Sequence, residues 1–187
     1  VRALAIETRE GSFVARYTER GLAAIEFPLE RATGINVSDK DAKPIILDWH
    51  GLVSAAVVSI LNAQVPNLLP PLDLADYTEF QRSVWHQLRL IPLGRTLSYG
   101  EVARNLGQSG ASRAVGAACG ANPIPLIIPC HRVLAANKAL GGFSAGLNWK
   151  QKLLAIEGIT VGSTRVRPVR VVDGQKELLF ASASASC

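Results

Sequence analysis

Leu126-Ile127-Ile128-Pro129-Cys130-His131-Arg132-Val133 sets a thiol and an imidazole side by side, directly behind a short apolar run. The run belongs in a core, and Pro129 withholds the amide that would continue a strand ladder. The segment therefore predicts a buried strand that ends at a site. A cysteine reacts as its thiolate, so it needs a base or a positive field close by, and His131 is the nearest base. Neighbouring side chains of a strand point to opposite faces. Contact between the two then requires either that Pro129 bend the backbone or that a water carry the proton. Taken alone, the pair reads as an inert core cysteine beside a surface histidine. Its surroundings read otherwise.

Upstream lie signals for helices. Thr78 and Gln81 have capping-box spacing ahead of a stripe of Phe80, Val84 and Leu88, which Pro92 and Gly94 end. Ser98 and Glu101 repeat the box and open a short helix that Gly107 closes. Ser112 is the expected cap of a third helix running to Ala121, with Pro123 forbidding its continuation. Two short helices around a glycine-containing turn read as a helix-turn-helix. Its second helix carries Ala114, Gly116, Ala117, Ala118, Gly120 and Ala121, too small to fill a core but suited to bringing backbone against another surface. Charge agrees. Residues 1–75 hold seven Lys/Arg against nine Asp/Glu, whereas residues 76–160 hold nine against four, and residues 161–187 four against two. The basic excess sits with the cysteine, where phosphate neutralisation would need it.

The remainder organises around that half. Ala3–Glu7, Ser12–Tyr17 and Leu22–Phe27 predict an antiparallel meander with turns at Glu10-Gly11 and Glu19-Arg20-Gly21. Thr33–Lys43 reads as loop, and Asp48 as the cap of a helix to about Asn62 that packs Leu52, Ala55, Ala56 and Ser59 on the sheet. Pro66–Pro71 reads as a stiff linker. The expected division is an α/β domain over 1–75, a mainly helical domain over 76–160 and a partly disordered tail over 161–187. A last helix from Trp149 to Ile156, capped by Asn148, turns Trp149, Leu153 and Ile156 inward and ends at Glu157, whose carboxylate opposes the helix dipole unless something like His131 meets it. His50 and His86 read as structural or surface residues. The apolar stretch Leu52–Leu61 is too short for a membrane span, and the start lacks a signal-peptide pattern. The expectation is a soluble, monomeric, cytoplasmic protein, associated with the nucleoid in a bacterium or nuclear in a eukaryote. Cysteines at 119, 130 and 187 make neither a disulfide framework nor a zinc motif. With the histidines scattered, no metal or nucleotide cofactor is expected.

Asn122-Pro123-Ile124-Pro125 before Pro129-Cys130-His131-Arg132-Val133, with Ser98-Tyr99-Gly100-Glu101-Val102-Ala103 ahead and Gly141-Gly142-Phe143-Ser144-Ala145-Gly146-Leu147 behind, resembles the O6-alkylguanine-DNA alkyltransferases. The resemblance covers about Thr78 to Gly158 and is loose before Asp76. It implies an RNase H-like first domain and a protein that takes an alkyl group from damaged guanine in double-stranded DNA onto its own cysteine, once. By resemblance Cys130 is the acceptor, His131 the base acting through water, and Glu157 its orienter. Tyr99 protonates the departing guanine, and Asn122 ties the helix-turn-helix to the site. The guanine contacts fall to the backbone at Val133 and Ser144, with Gly141 in the same binding loop. Arg113 becomes the finger that fills the gap left by a flipped nucleotide. It stands with Ser112, Ala114, Gly116, Ala117 and Gly120 on a helix offered to the minor groove. Zinc ligands found in some relatives' first domain have no match here. A damage-binding relative without the acceptor thiol is at odds with Cys130, and a Cys-His-Glu hydrolase leaves Arg113 unexplained.

Overall fold

A computed structural model of the protein describes residues 1–28 and 42–160. The meander forms as expected: β1 (Arg2–Thr8), β2 (Gly11–Thr18) and β3 (Gly21–Glu26) pair antiparallel in sequence order. The register sets Ile6 opposite Phe13 and Ala15 opposite Ile25, so Leu4, Ile6, Phe13, Ala15, Tyr17, Leu22 and Ile25 are all buried. Helix α1 (Pro44–Leu61) covers this sheet.

Three expectations about α1 change. It starts at Pro44, not at an Asp48 cap, because proline is well placed in a first turn where its missing N–H costs nothing. Its buried stripe is Ile46, Val53, Ala56, Val57, Ile60 and Leu61, so Ala55 turns to solvent. It is also longer than the predicted apolar stretch: 18 residues of mean hydropathy 1.7, enough by length and composition to cross a membrane. Here its inner stripe closes the sheet. His50 has a structural task, joining Tyr17 Oη to Nδ1 and Ala5 O to Nε2, each at 3.0 Å.

The Pro66–Pro71 segment is tied to the sheet. Pro71 O accepts the Leu22 N–H at 2.9 Å, Asp73 N–H donates to Leu22 O at 2.8 Å, and Asp73 is held by Thr18 and Arg20. Helix α2 (Glu79–Arg89) has the predicted Thr78–Gln81 box and buries Val84, Trp85 and Leu88. Residues Leu97–Ser98 form β4, and α3 (Tyr99–Asn105) carries the second box. Helix α4 (Ser112–Gly120) packs on α2 and α3 and completes the helix-turn-helix. Ser112 is its first residue and does not cap it; Ala111 holds that position without a side-chain bond. The last helix, α5 (Leu147–Ile156), starts behind Gly146, and Asn148 lies inside it. Its deepest residues are Lys150, Leu153 and Leu154, while Trp149 and Ile156 are only partly buried.

The two halves share one core. Phe13 and Phe27 of the sheet side stack edgewise with Trp149 of α5 at 5.5 and 4.9 Å, and Phe27 meets Phe143 at 5.8 Å. Ile25 N–H donates to Pro123 O at 2.9 Å. The sheet thereby braces the loop that leads to the cysteine. The tail, with Arg165–Arg170 and Cys187, lies outside the described residues, as does most of Thr33–Lys43.

Candidate active site and DNA-binding face

The apolar run ahead of the cysteine is buried but is not a strand. Pro123, Pro125 and Pro129 deny it ladder donors, and Leu126 takes a φ of 75°, so residues 124–128 fold into a compact turn closed by Ile128 N–H to Ile124 O at 2.9 Å. Cys130, His131 and Arg132 then form a single 3-10 turn, followed by β5 (Val133–Leu134), which pairs in parallel with β4. A helical turn does not oppose adjacent side chains as a strand does. This removes the geometric objection to Cys130 and His131 serving one site.

Asn122 organises the thiol. Its Nδ2 donates to Ile128 O at 2.8 Å and to Cys130 Sγ at 3.1 Å, while its Oδ1 accepts from Ile124 N–H at 3.0 Å. The side chain, only 6% exposed, thus spans from the end of α4 to the sulfur. Burial pushes the Cys130 thiol above its ordinary value, and the Asn122 amide, the Lys150 charge and nearby backbone N–H groups oppose that rise.

His131 is fully buried, with Nε2 2.7 Å from Glu157 Oε1. The carboxylate also receives Arg132, whose Nε lies 3.0 Å from both oxygens, and the Gly94 N–H at 3.1 Å. Burial alone would raise the Glu157 carboxyl; the bonds and charges of His131 and Arg132 outweigh it and bring it down to about 2. An ionised carboxylate can only accept, so Nε2 of His131 carries the proton and Nδ1 presents a lone pair. Burial also holds the imidazole below its ordinary value, keeping it neutral at neutral pH. Nδ1 is the one buried side-chain nitrogen or oxygen without a partner among the described residues. It is a base of fixed tautomer whose lone pair no protein group claims among the described residues.

Cys130 lies in a cavity of about 760 Å³ that opens between α4 and the 135–144 segment. Tyr99, Ser112, Arg113, Gly116, Gly120 and Ser144 line it; Val133, Gly141, Ala114 and Ala117 do not. Arg113, Ala114, Ala117 and Gly120 form the exposed face of α4, one arginine among small residues, and Arg113 and Gly120 also border the cavity. Gly141, at φ 66°, lies against Tyr99: an added Cβ would stand 3.0 Å from the phenol oxygen. Gly116 likewise passes under the same ring. Burial raises the Tyr99 phenol, so it enters the cavity as a proton donor.

The chain is similar to proteins of known family. Residues 79–159 match the family model described as 6-O-methylguanine DNA methyltransferase, DNA binding domain. A Methanosarcina acetivorans methylated-DNA–protein-cysteine methyltransferase is 56% identical over 81 residues, which are 43% of this chain and 52% of that one. The Mycobacterium bovis protein of the same name is 52% identical over 131 residues, covering 67% of this chain and 79% of its own length. The chain belongs to the methylated-DNA–protein-cysteine methyltransferase family. The crystal structure of Mycobacterium tuberculosis OGT in complex with DNA superposes with a TM-score of 0.66 at 34% identity, over 84% of this chain and 92% of that one. The match thus extends through the sheet as well as the helices, while it spans about half of the Methanosarcina relative.

Lys150 and Arg132 had no assigned role in the sequence, and Cys119, a candidate second thiol expected to be buried in its helix, also lies at the site. Lys150 is completely buried, its Nζ donating to Val133 O at 2.6 Å and Gly142 O at 3.2 Å, and burial draws its ammonium down to about 8. Cys119 lines the cavity beside Cys130, but burial pushes its thiol up to about 12, which makes it a poor nucleophile. Arg132 was visible within the motif without a role. Lysine and arginine on a short helix ordinarily reach outward, and nothing local in the sequence marks these two as turned in.

Proposed function

We propose that this DNA-binding protein removes an alkyl group from O6 of guanine in duplex DNA and bonds it irreversibly to Cys130 Sγ, each molecule acting once. The observation that carries this reading is the buried thiol at the base of the cavity, held by Asn122 and neighboured by a histidine whose tautomer Glu157 fixes. The proton of the Cys130 thiol passes to His131 Nδ1, through one bound water. The sulfur pair then forms the S–C bond as the C–O6 bond breaks. Tyr99 gives the guanine its proton, so a neutral base leaves; the imidazolium then releases the thiol's proton and the Tyr99 phenolate takes one up through solvent, which restores both side chains. Displacement at a saturated carbon forms no tetrahedral oxyanion, so no oxyanion hole is required.

Inside a duplex that carbon is shielded by stacking, so the nucleotide must turn out into the cavity. The small-residue face of α4 suits close approach to a minor groove, and Arg113 at its start fills the space the base vacates. Ser144, on the cavity wall, supplies a guanine contact through its backbone, whereas the Val133 carbonyl is bonded by Lys150 off the cavity. A thioether resists hydrolysis, which makes the reaction stoichiometric.

The test is intact-mass analysis with peptide mapping after incubation with a duplex carrying O6-methylguanine. One methyl on the peptide containing Cys130, and none in Cys130→Ser, is the expected result. Retained stoichiometric transfer by Cys130→Ser, or continuing turnover, overturns the reading.

A further inference from the structure

Arg132 is engaged on every side. Its Nε and Nη2 grip both oxygens of Glu157, and its Nη1 donates to Ile91 O at 2.6 Å, at the end of α2. Gly94 N–H, three residues on, binds the other side of the same carboxylate. The orienting carboxylate of the site is therefore itself oriented from two directions. We propose that Arg132 is a positioning residue for alkyl transfer, holding Glu157 as a permanent carboxylate that steers His131 without ever accepting its proton.

The geometry carries this in two steps. Once Nδ1 has taken the thiol's proton, a carboxylate that met only the imidazole could take the Nε2 proton, leaving hydrogen on Nδ1 and the lone pair on Nε2, where the base points away from the thiol. A guanidinium forked onto both oxygens makes protonation of either one costly, because a fixed positive charge opposes it. The tautomer with Nδ1 free is then the one the site retains, and that is the nitrogen without a partner. The second consequence is electrostatic. The charged and titratable groups acting on His131 are Glu157 beyond the end of α5, Arg132 in its own turn and Lys150 inside α5. Burial does most to keep the imidazole unprotonated, and Arg132 and Lys150 add to it against the pull of Glu157, while the carboxylate keeps the base aimed.

The proposal rests on Cys130 as acceptor and His131 as base. Its test is the pH dependence of the single-turnover reaction with free O6-benzylguanine, in wild type, Arg132→Met and Arg132→Lys, each followed by mass gain on Cys130. Removing the guanidinium lets His131 keep its proton to higher pH. The acid limb of the rate profile is expected to rise by about one pH unit in Arg132→Met. Arg132→Lys keeps the charge without the fork, and its limb stays near that of wild type. Equal slowing of both variants with an unmoved limb means that Arg132 is only a structural tie, and overturns the proposal. Should the variants fail to fold, carbon NMR of the wild-type glutamate carboxyls decides. Glu157 is expected to stay ionised while His131 titrates, and proton uptake by Glu157 in that interval overturns the proposal. Absence of any alkyl mass on wild-type Cys130 would instead defeat the functional reading beneath it, so the two failures are distinct.

Discussion

Nε2 of His131 and Oε1 of Glu157 meet at 2.7 Å where solvent does not reach, with side-chain exposures of 0% and 1%. Water cannot substitute for either partner, so the pair serves the fold and the chemistry together. Removing one member leaves a buried hydrogen-bonding group of the other unmet, at about 1–3 kcal/mol, and more where the group left behind is charged.

That cost makes stability depend on acid. The folded carboxyl of Glu157 sits at about 2 against an ordinary 4.5, so its contribution is present above that ordinary value and drains away as pH falls towards about 2. Thermal melts from pH 6 down to pH 3 should show a falling Tm in wild type. Glu157→Gln should melt lower at neutral pH, with a flatter acid dependence. An equally steep decline in the variant would assign the acid sensitivity elsewhere.

Arg113 stands exposed at the start of α4, on the rim of the cavity and away from the sulfur's hydrogen bonds. Arg113→Ala should slow repair of O6-methylguanine in duplex DNA by at least about tenfold, while leaving the reaction with free O6-benzylguanine within about twofold. Paired single-turnover rates measure both. Equal losses on the two substrates would remove its role in flipping.

Lys150 is a buried cation that, among the described residues, hydrogen-bonds two carbonyls, and its charge lies near enough to Cys130 to favour a thiolate there. Lys150→Met exchanges an unpaired buried charge for an apolar chain of similar length. Its Tm should hold or rise, while alkylation of Cys130 at neutral pH should slow by about tenfold, the equivalent of one pKa unit. A lowered Tm together with an unchanged rate would make Lys150 a purely structural clamp.

Alkylation should itself loosen the protein. Cys130 is 4% exposed and touches Asn122 at 3.1 Å, so a methyl on sulfur must displace that amide or strain the turn, at about 1–3 kcal/mol. Melting curves of free, methylated and benzylated protein compare the states, with the free form expected highest. If both alkylated forms melt as high as the free one, the cavity accommodates the adduct without strain.

What could be read from the sequence was what short-range chemistry decides. The boxes at Thr78–Gln81 and Ser98–Glu101 satisfy their own helix ends within three residues, so their signal is complete in the sequence and both helices begin where expected. The meander was legible for the same reason, its turns and alternation being local. The run Leu126–Ile128 misled because apolarity reports burial and not conformation; the prolines on either side argued for a turn more strongly than the aliphatics argued for a strand. Asp48 and Asn148 looked like caps by type alone, whereas Pro44 and Gly146 carried the better positional signal. Lys150 and Arg132 could not be placed at all, since their acceptors at Val133, Gly142, Ile91 and Glu157 are brought near only by the folded chain.

The bond from Ile25 N–H to Pro123 O has an engineering consequence. A gene fragment trimmed to the helices alone would strip that carbonyl of its donor and bare the aromatic cluster around Phe27 and Trp149. The three-stranded sheet is thus a splint for the reactive turn, and a miniaturised reagent built on this scaffold would have to carry the splint or replace it.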